Sequence, residues 1–335
     1  MNKRNSLKTA LGVLAAALVT SLVTALTPAL TPAAMAQAWP AKPIKIIVPF
    51  TAGSSSDIIG RAFADAMGRS LGQPIIVENR GGAGGTIGAA QVAKSDPDGY
   101  TLLVNSSAHS VNPAIYSNLP FDTLKDFASV AGLGAVPNVL ITPPGKYKNL
   151  QDFIAQVKAK PANSLNYASA GIGSATHLNA EKFMMMAGLD LQHIPFKGTP
   201  EAITEVAAGR LEFYMAPINA AMGLVKDGKI AALGVSTAKR SPLLHDVPTT
   251  NEAGAPNSDY ALWVGMFAPA KTPVEIVTRL NAEAMKAANS PELKDRLTKM
   301  GADPMPGTAA EFEAFVRKDI EVSGQVARRA KMQAN

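Results

Sequence analysis

The sequence contains no cysteine among its 335 residues. This absence excludes a disulfide framework and any metal site built from thiolates. It also excludes a lipid-modified cysteine at the start of a processed chain, so we expect the mature protein to be free in solution. Export to the bacterial periplasm does not require disulfides, and the absence therefore leaves that compartment open.

Motifs for metal, cofactor and nucleophilic chemistry are also scarce. No two of the four histidines have the spacing of metal ligands, and H-E-x-x-H is absent. The glycine-rich segment Gly82–Gly88 follows a predicted strand, but its G-x-G-x-x-x-G spacing and the early Asp96 and Asp98 do not fit a dinucleotide loop. We therefore predict no metal and no cofactor.

Charge is low, since only 17% of the residues are Asp, Glu, Lys or Arg. Residues 1–36 carry three of the 32 basic residues and none of the 26 acidic ones, which leaves a net charge of +3 on the remainder. This charge is too small to indicate a nucleic-acid partner. A modest positive field does favour the capture of anionic solutes.

One long apolar run, Leu11–Leu26, lies near the N-terminus. It follows three basic residues within the first eight and precedes the small-residue site Ala34–Ala36. This order predicts a secretory signal peptide over residues 1–36, cleaved near Ala36, and hence a periplasmic protein. The alternative is an uncleaved membrane anchor, although the run is shorter than the ~20 residues of a transmembrane helix.

Beyond this segment, short β-branched strands alternate with amphipathic helices. Strands are predicted at Ile44–Val48, Pro74–Val77 and Tyr100–Val104, with helices over 57–71 and 86–93. The same order recurs from about residue 149 to residue 235. It predicts an α/β fold with mostly parallel, doubly wound sheets. A mature chain of this length suits two lobes better than a single core.

Two extended apolar segments, Val130–Pro143 and Leu262–Pro269, bracket the second set of units. We interpret them as strands that cross between two lobes. Lobe 1 would then be discontinuous, comprising 39–135 plus 260–335, and lobe 2 would comprise 136–259. The C-terminal segment is helical by its apolar periodicity and is expected to pack on lobe 1.

Two loops are candidates for anion binding. Thr51–Ser56 follows the first strand and leads into a helix whose predicted cap is Ser56 or Asp57, and Ser169–Thr176 has the same construction in lobe 2. Unpaired N–H groups and the helix dipole attract anions to such a turn. Each loop could be an ordinary connection with a good cap, but two facing loops would surround one carboxylate. His177 could donate to that carboxylate or merely cap and pack.

Several short motifs occur in a fixed order along the mature chain. They are W-P-x-x-P-I-x-I-I-V-P-F from Trp39, V-E-N-R-x-G-A-G-G-x-I-G from Val77, D-P-D-G-Y-T-L-L from Asp96, A-S-x-G-x-G-S from Ala168 and T-A-K-R-S-P from Thr237. Taken together, the sequence resembles the extracytoplasmic receptors of tripartite tricarboxylate transporters, the Bordetella uptake gene (Bug) type.

The resemblance implies a type II periplasmic-binding-protein fold of class α/β, with two doubly wound lobes joined by two crossing strands. It implies closure on a carboxylate ligand and delivery to the membrane subunits of a tripartite tricarboxylate transporter; we expect a monomer and no nucleic acid. Carried onto this chain, it implies ligand contacts from Phe50, Thr51, Ala52, Gly53, Ser54, Ser55, Ser56, Ser106, Ser107 and His109 in lobe 1, and from Ser169, Gly173, Ser174, Thr176 and Lys197 in lobe 2. To these we add, as flanking or wall residues, Asp57, His177, Ala216, Pro217 and Trp263.

Two departures from the family pattern bear on the ligand. Ser54 stands where the family commonly has a second glycine, which adds a hydroxyl donor. After the strand at Phe213 the family often carries an Asp, whereas this chain has no acid in 214–219. An apolar wall disfavours a buried ammonium group. We therefore expect a carboxylate without an amino group, aromatic acids included, because the candidate walls are Phe50, Met215, Pro217 and Trp263.

Two other functions are compatible with the sequence. An exported hydrolase of a carboxylate ester would need a nucleophile and a base, for which Ser174 with His177 is the available start. A receptor that only signals through a histidine kinase would use the same closed form, and the sequence does not separate it from a transport receptor.

Overall fold

Strands and helices alternate along residues 39–334, the part of the chain that the computed structural model describes. The predicted signal peptide lies outside the described residues. The strands are β1 (Ile44–Val48), β2 (Ile75–Asn79), β3 (Thr101–Ser106), β4 (Phe127–Thr142), β5 (Asn166–Ser169), β6 (Gln192–Pro195), β7 (Phe213–Pro217), β8 (Ala231–Val235) and β9 (Ala261–Pro269). The helices are α1 (Ser55–Leu71), α2 (Thr86–Ala93), α3 (Ala108–Ile115), α4 (Leu150–Lys158), α5 (Ala175–Ala187), α6 (Thr199–Ala207), α7 (Ile218–Lys226), α8 (Val274–Asn289), α9 (Pro291–Lys299) and α10 (Ala309–Arg329).

The strands form one sheet in the order β2-β1-β3-β9-β4-β7-β5-β6, and β8 also pairs with β4. β4 belongs to two halves of this sheet. Its residues from Phe127 to Pro137 pair with β9, whereas Asn138–Thr142 pair with β7 and β8. The long strand β4 and its antiparallel neighbour β9 correspond to the two predicted crossing segments. Strands β1, β2 and β3 pair in parallel, and so do β5, β6 and β7, as the strand–helix alternation predicted.

The second half of the sheet, which contains β5, β6 and β7, is covered on both faces. Phe213 and Met215 face a core that includes Phe153 and Phe183 from α4 and α5. The alternate residues Tyr214 and Ala216 face a separate core with residues of α6. Successive side chains of a strand point to opposite faces, so this uniformly apolar strand requires helices on both sides. The arrangement is the doubly wound one that the sequence predicted.

The first half of the sheet carries the C-terminal helices. Phe312 and Val316 of α10 join Ile47, Leu103 and Phe267 in one buried core. The predicted helical C-terminal segment is divided into α8, α9 and α10. Ser290, an extended residue, ends α8 and caps α9. No membrane-spanning candidate occurs among the helices of residues 39–334.

Helix α3 was not predicted from the sequence. It contains Pro113, and proline is disfavoured inside a helix, so the segment does not resemble one in sequence. It packs against α10, and its position matters because it follows Ser106 and Ser107 at the end of β3.

Candidate functional site

Helix α1 begins at Ser55, and Ser54 is its N-cap, with Ser54 Oγ accepting the Asp57 N–H at 3.4 Å. The predicted cap, Ser56 or Asp57, is therefore wrong by two to three residues. Three consecutive serines cap equally well by sequence, so their order does not select one. The choice follows from Gly53, whose φ of +83° turns the chain just before the cap.

The carboxylate of Asp57 holds the loop that precedes α1. It accepts the N–H of Gly53 at 3.0 Å, the Arg61 Nε–H at 2.9 Å and the Asn79 amide at 2.9 Å. Burial raises the pKa of Asp57, but these hydrogen bonds outweigh burial and leave the pKa below its ordinary value. Asp57 is thus an ionised support of the loop.

The second loop has the same construction at the start of α5. Ser174 is the N-cap and accepts the His177 N–H at 3.2 Å. The hydroxyl of Thr176 accepts the N–H of Ala170 at 3.1 Å and bonds Ser174 Oγ. The N–H groups of Ala175 and Thr176 also lie in the first turn of α5, where they have no partner within the helix. They are therefore available to an anion.

These two helix N-termini line one cavity. Its volume is about 20 Å³, which holds about one water molecule. Hydroxyl groups and apolar side chains form its walls. Within the part of the chain that the structure describes, none of the lining residues is charged. The lining consists of Phe50, Ser54, Ser55, Ser56, Ser106, Ala170, Ser174, Ala175, Thr176, Thr199, Pro217 and Leu262.

Eight of the predicted contact residues lie in this lining: Phe50, Ser54, Ser55, Ser56, Ser106, Ser174, Thr176 and Pro217. The other twelve are not part of the lining: Thr51, Ala52, Gly53, Asp57, Ser107, His109, Ser169, Gly173, His177, Lys197, Ala216 and Trp263. Contact of any of them with a ligand stays a prediction.

Several of the outlying residues have structural partners that explain their position. His109 is fully buried among Phe121, Phe127 and Phe267, and burial lowers its pKa to about 3. Trp263 donates its indole N–H to Asp319 at 2.8 Å. The sequence places both residues beside the loops, but it does not show which way a side chain on a strand or helix faces.

Other predicted residues are turned toward different surroundings. Met215, a predicted wall, lies in the core of the second half of the sheet. Lys197 is exposed and lines a separate surface depression with Gly84, Tyr116 and Phe196. The cavity between the two helix N-termini therefore has no lysine in its lining.

Sequence reasoning missed four lining residues, Ala170, Ala175, Thr199 and Leu262. Thr199 is the first residue of α6 and follows Gly198. Its place at a third helix N-terminus could have identified it as a candidate lining residue. Leu262 lies at the start of β9, one of the crossing strands. Ala170 and Ala175 are small residues inside the second loop and offer no chemical signal of their own.

The loops on either side of the cavity contact each other directly. Ser55 Oγ donates to Asn219 Oδ1 at 2.9 Å, and Thr51 Oγ1 donates to Glu201 at 3.2 Å. The hydroxyl of Tyr116 reaches the carbonyl oxygen of Ile172 at 3.3 Å. These bonds join residues far apart in the chain and enclose the cavity between the two halves of the sheet.

Glycines make the closest of these approaches possible. Gly84 has a φ of +59°, and a Cβ at this position would overlap the carbonyl oxygen of Ile172. The glycine-rich segment Gly82–Gly88 therefore packs its backbone against the loop Ser169–Thr176. Gly171 in turn approaches the backbone of Gly84.

The geometry does not assemble a hydrolytic pair from Ser174 and His177. Ser174 Oγ bonds the backbone N–H of His177 and the hydroxyl of Thr176. The ring of His177 instead accepts the Gly173 N–H through Nδ1 at 3.2 Å. Nucleophilic catalysis needs the base within hydrogen-bond reach of the nucleophile, and these bonds suit a helix cap.

Comparison with known proteins agrees with this geometry. The sequence profile of the tripartite tricarboxylate transporter family receptor (TctC) matches residues 59–332. The chain belongs to this family. Protein BugT of Bordetella pertussis is 35% identical to the receptor over 289 residues, covering 85% of this chain and 88% of BugT.

Solved structures of relatives share the fold of this receptor. The periplasmic binding protein BugD is 30% identical, with a TM-score of 0.84 over 89% of this chain and 100% of BugD. An R. palustris protein solved with adipate is 33% identical, with a TM-score of 0.85 over 88% of this chain and 99% of its own. MatC from Rhodopseudomonas palustris, solved with bound malate, is 33% identical, with a TM-score of 0.81 over 86% of this chain and 99% of MatC. The predicted periplasmic-binding-protein fold and the predicted family are thereby confirmed, and the chain is a solute-binding receptor of that family.

Proposed function

We propose that this receptor captures a small carboxylate without an amino group by closure of two lobes, and delivers it to the membrane subunits of a tripartite tricarboxylate transporter. The observation that carries the proposal is the uncharged cavity between two helix N-termini, with hydroxyls from Ser54, Ser55, Ser174 and Thr176 in its walls. Backbone amides and hydroxyls in such a place stabilise a carboxylate.

The chemistry of the lining supports the expected ligand class. An ammonium group needs an acidic or carbonyl partner when it is buried. Asp57, the acid close to the cavity, already accepts three hydrogen bonds from the protein. The apolar walls, Phe50, Pro217 and Leu262, suit the carbon skeleton of a dicarboxylate or an aromatic acid. The relatives solved with adipate and malate support an amino-free acid.

The size of the cavity supports capture by motion. A space for one water molecule does not admit a dicarboxylate, so the lobes must part for the ligand to enter. In the proposed division, lobe 1 comprises 39–135 plus 260–335 and lobe 2 comprises 136–259. The bond from Ser55 to Asn219 and the contact of Gly84 with Ile172 join the two sides in the closed form.

The first experiment is a thermal-shift panel on the protein without residues 1–36, with adipate, malate, benzoate, aspartate and glutamate. A ligand at a hundredfold its Kd stabilises the folded state by about 2.7 kcal/mol. We expect at least one amino-free acid to raise the Tm more than either amino acid does. A larger shift with aspartate or glutamate would refute the ligand class, and no shift with any of the five acids would refute the function for these ligands.

The second experiment tests closure with Gly84→Ala. The added methyl would overlap Ile172 in the closed form, so we expect carboxylate affinity to fall about tenfold or more and scattering to show no compaction on ligand addition. Gly145→Ala is the matched control, because Gly145 has a similar φ of +70° and an open surrounding. Equal affinity in the two variants would contradict closure at this contact.

A further inference from the structure

Four rings form a continuous stack behind the second anion loop, Ser169–Ser174. Phe213 stacks on Tyr167 at 5.3 Å between centroids, and Tyr167 stacks on His193 at 5.0 Å. His193 stacks on His177 at 3.8 Å with the planes 9° apart. The strands β7, β5 and β6 that carry the first three rings are neighbours in the sheet. Their pairing therefore fixes the place of His177 at the start of α5.

His177 holds the C-terminal end of the loop Ser169–Ser174. Its Nδ1 accepts the N–H of Gly173 at 3.2 Å. A ring nitrogen that accepts a hydrogen bond carries no proton, so the proton of this imidazole is on Nε2. That nitrogen lies 3.7 Å from the carboxylate of Glu181, which also accepts the hydroxyl of Tyr167.

His193 holds the N-terminal end of the loop Ser169–Ser174. Its Nε2 lies 2.6 Å from Ser169 Oγ. The same hydroxyl donates to the carbonyl of Gly171 at 3.1 Å and accepts the Gly171 N–H at 3.0 Å. Because a hydroxyl has one proton, all three bonds form together when His193 donates from Nε2. Burial and, secondarily, the nearby His177 lower the pKa of His193 to about 2, which agrees with an uncharged ring.

We propose that His177 and His193 are positioning residues of the carboxylate site, acting as a stacked, uncharged pair with both ring protons on Nε2. They hold the two ends of Ser169–Ser174, and this fixes the direction in which the first-turn amides of α5 face the cavity. Neither ring lines the cavity, so the pair acts through the loop. The effect on binding rests on the proposed function, whereas the tautomers and the loop bonds do not.

The first test needs no ligand. Nitrogen-15 spectra of histidine-labelled protein at pH 7 report the protonation of each ring nitrogen. We expect Nε2–H tautomers for both His177 and His193, and a marked shift of the Gly173 amide in His177→Leu. A charged ring, or a proton on Nδ1 of His177, overturns the proposal whether or not the protein binds carboxylates.

The second test compares isosteric and apolar replacements. His177→Asn keeps an acceptor near the Nδ1 position, and His177→Leu removes it. We expect His177→Leu to weaken binding of adipate or malate, whichever stabilises the unmodified protein more, by about tenfold, the size expected for an unpaired buried N–H. His177→Asn should stay within about threefold. Equal losses in the two variants would overturn a positioning role.

The same comparison applies to His193, with His193→Gln as the conservative variant and His193→Leu as the apolar one. His245→Leu is the control, because His245 is an exposed histidine outside the site. If His193→Gln binds the carboxylate more tightly than His193→Leu does, the result supports the bond from His193 to Ser169. Equal affinities of the two variants would contradict that bond. If the unmodified protein binds neither acid, the proposed function fails for these ligands, and the nitrogen-15 result still decides the positioning role.

Discussion

His109 makes the stability of this receptor sensitive to acid. The ring is fully buried, lies 4.5 Å from the ring of Phe267 and 4.9 Å from that of Phe127, and has Asn105 as a polar neighbour at 3.4 Å. Burial lowers the pKa of His109 to about 3, although the nearby backbone of Thr123 opposes the shift. The charged form has no acidic partner in this aromatic surrounding.

The sign of the pH effect follows from proton uptake. The unfolded chain binds a proton at His109 below pH ~6.5, whereas the folded protein does not until about pH 3. The contribution of His109 to stability is therefore constant above pH ~6.5 and becomes steadily more unfavourable as the pH decreases toward 3. The slope is about 1.4 kcal/mol per pH unit, so His109 alone costs about 2 kcal/mol at pH 5. For a chain of about 300 residues, that corresponds to a Tm about 3 °C lower.

The assay is urea unfolding of the unmodified protein and of His109→Gln at pH 7.0, 6.0, 5.5 and 5.0. The glutamine does not titrate, so we expect its free energy of unfolding to fall about 2 kcal/mol less over this range. His245→Gln is the control, because the exposed His245 is hydrated in both the folded and the unfolded states. The same pH dependence in His109→Gln and the unmodified protein would refute the reasoning.

Two further predictions concern the frame of the site. Asp57→Ala removes the acceptor of the Gly53 N–H and of the Arg61 side chain. We expect the free energy of unfolding to fall by about 2 kcal/mol and carboxylate binding, measured by calorimetry, to weaken about tenfold. Unchanged affinity would show that Asp57 does not support the binding loop. Gly265→Ala places a methyl in the ring of Phe312; overpacking should cost about 1–3 kcal/mol in urea unfolding, and Phe312→Leu in the same chain should recover part of it.

The candidate site was predictable in outline because its chemistry is local. A helix N-terminus after a loop of small residues can be identified from the sequence around Ser54 and Ser174, since capping and turn preferences act over a few residues. The particular cap at α1 was not predictable, because three adjacent serines compete for it. Lys197 was expected at the ligand because the family resemblance implied a contact there, yet its side chain is on the outer surface.

The sequence by itself determined the alternation of strands and helices, the absence of thiol chemistry and the family. These properties depend on composition, on apolar periods of two or about 3.6 residues, and on the order of short motifs. The contacts across the cavity were decided by tertiary structure. Ser55 meets Asn219, 164 positions away, because the sheet order brings β1 and β7 to opposite sides of one cleft.

The histidines show the same division. No local feature of the sequence pairs His177 with His193, because nothing near either residue relates the start of a helix to the strand that follows it. Strand register places Tyr167 beside His193, and the start of α5 then brings His177 onto the stack. Tertiary structure alone decides which residues hold a loop and which meet a ligand, because side-chain direction depends on the packing of elements distant in the chain.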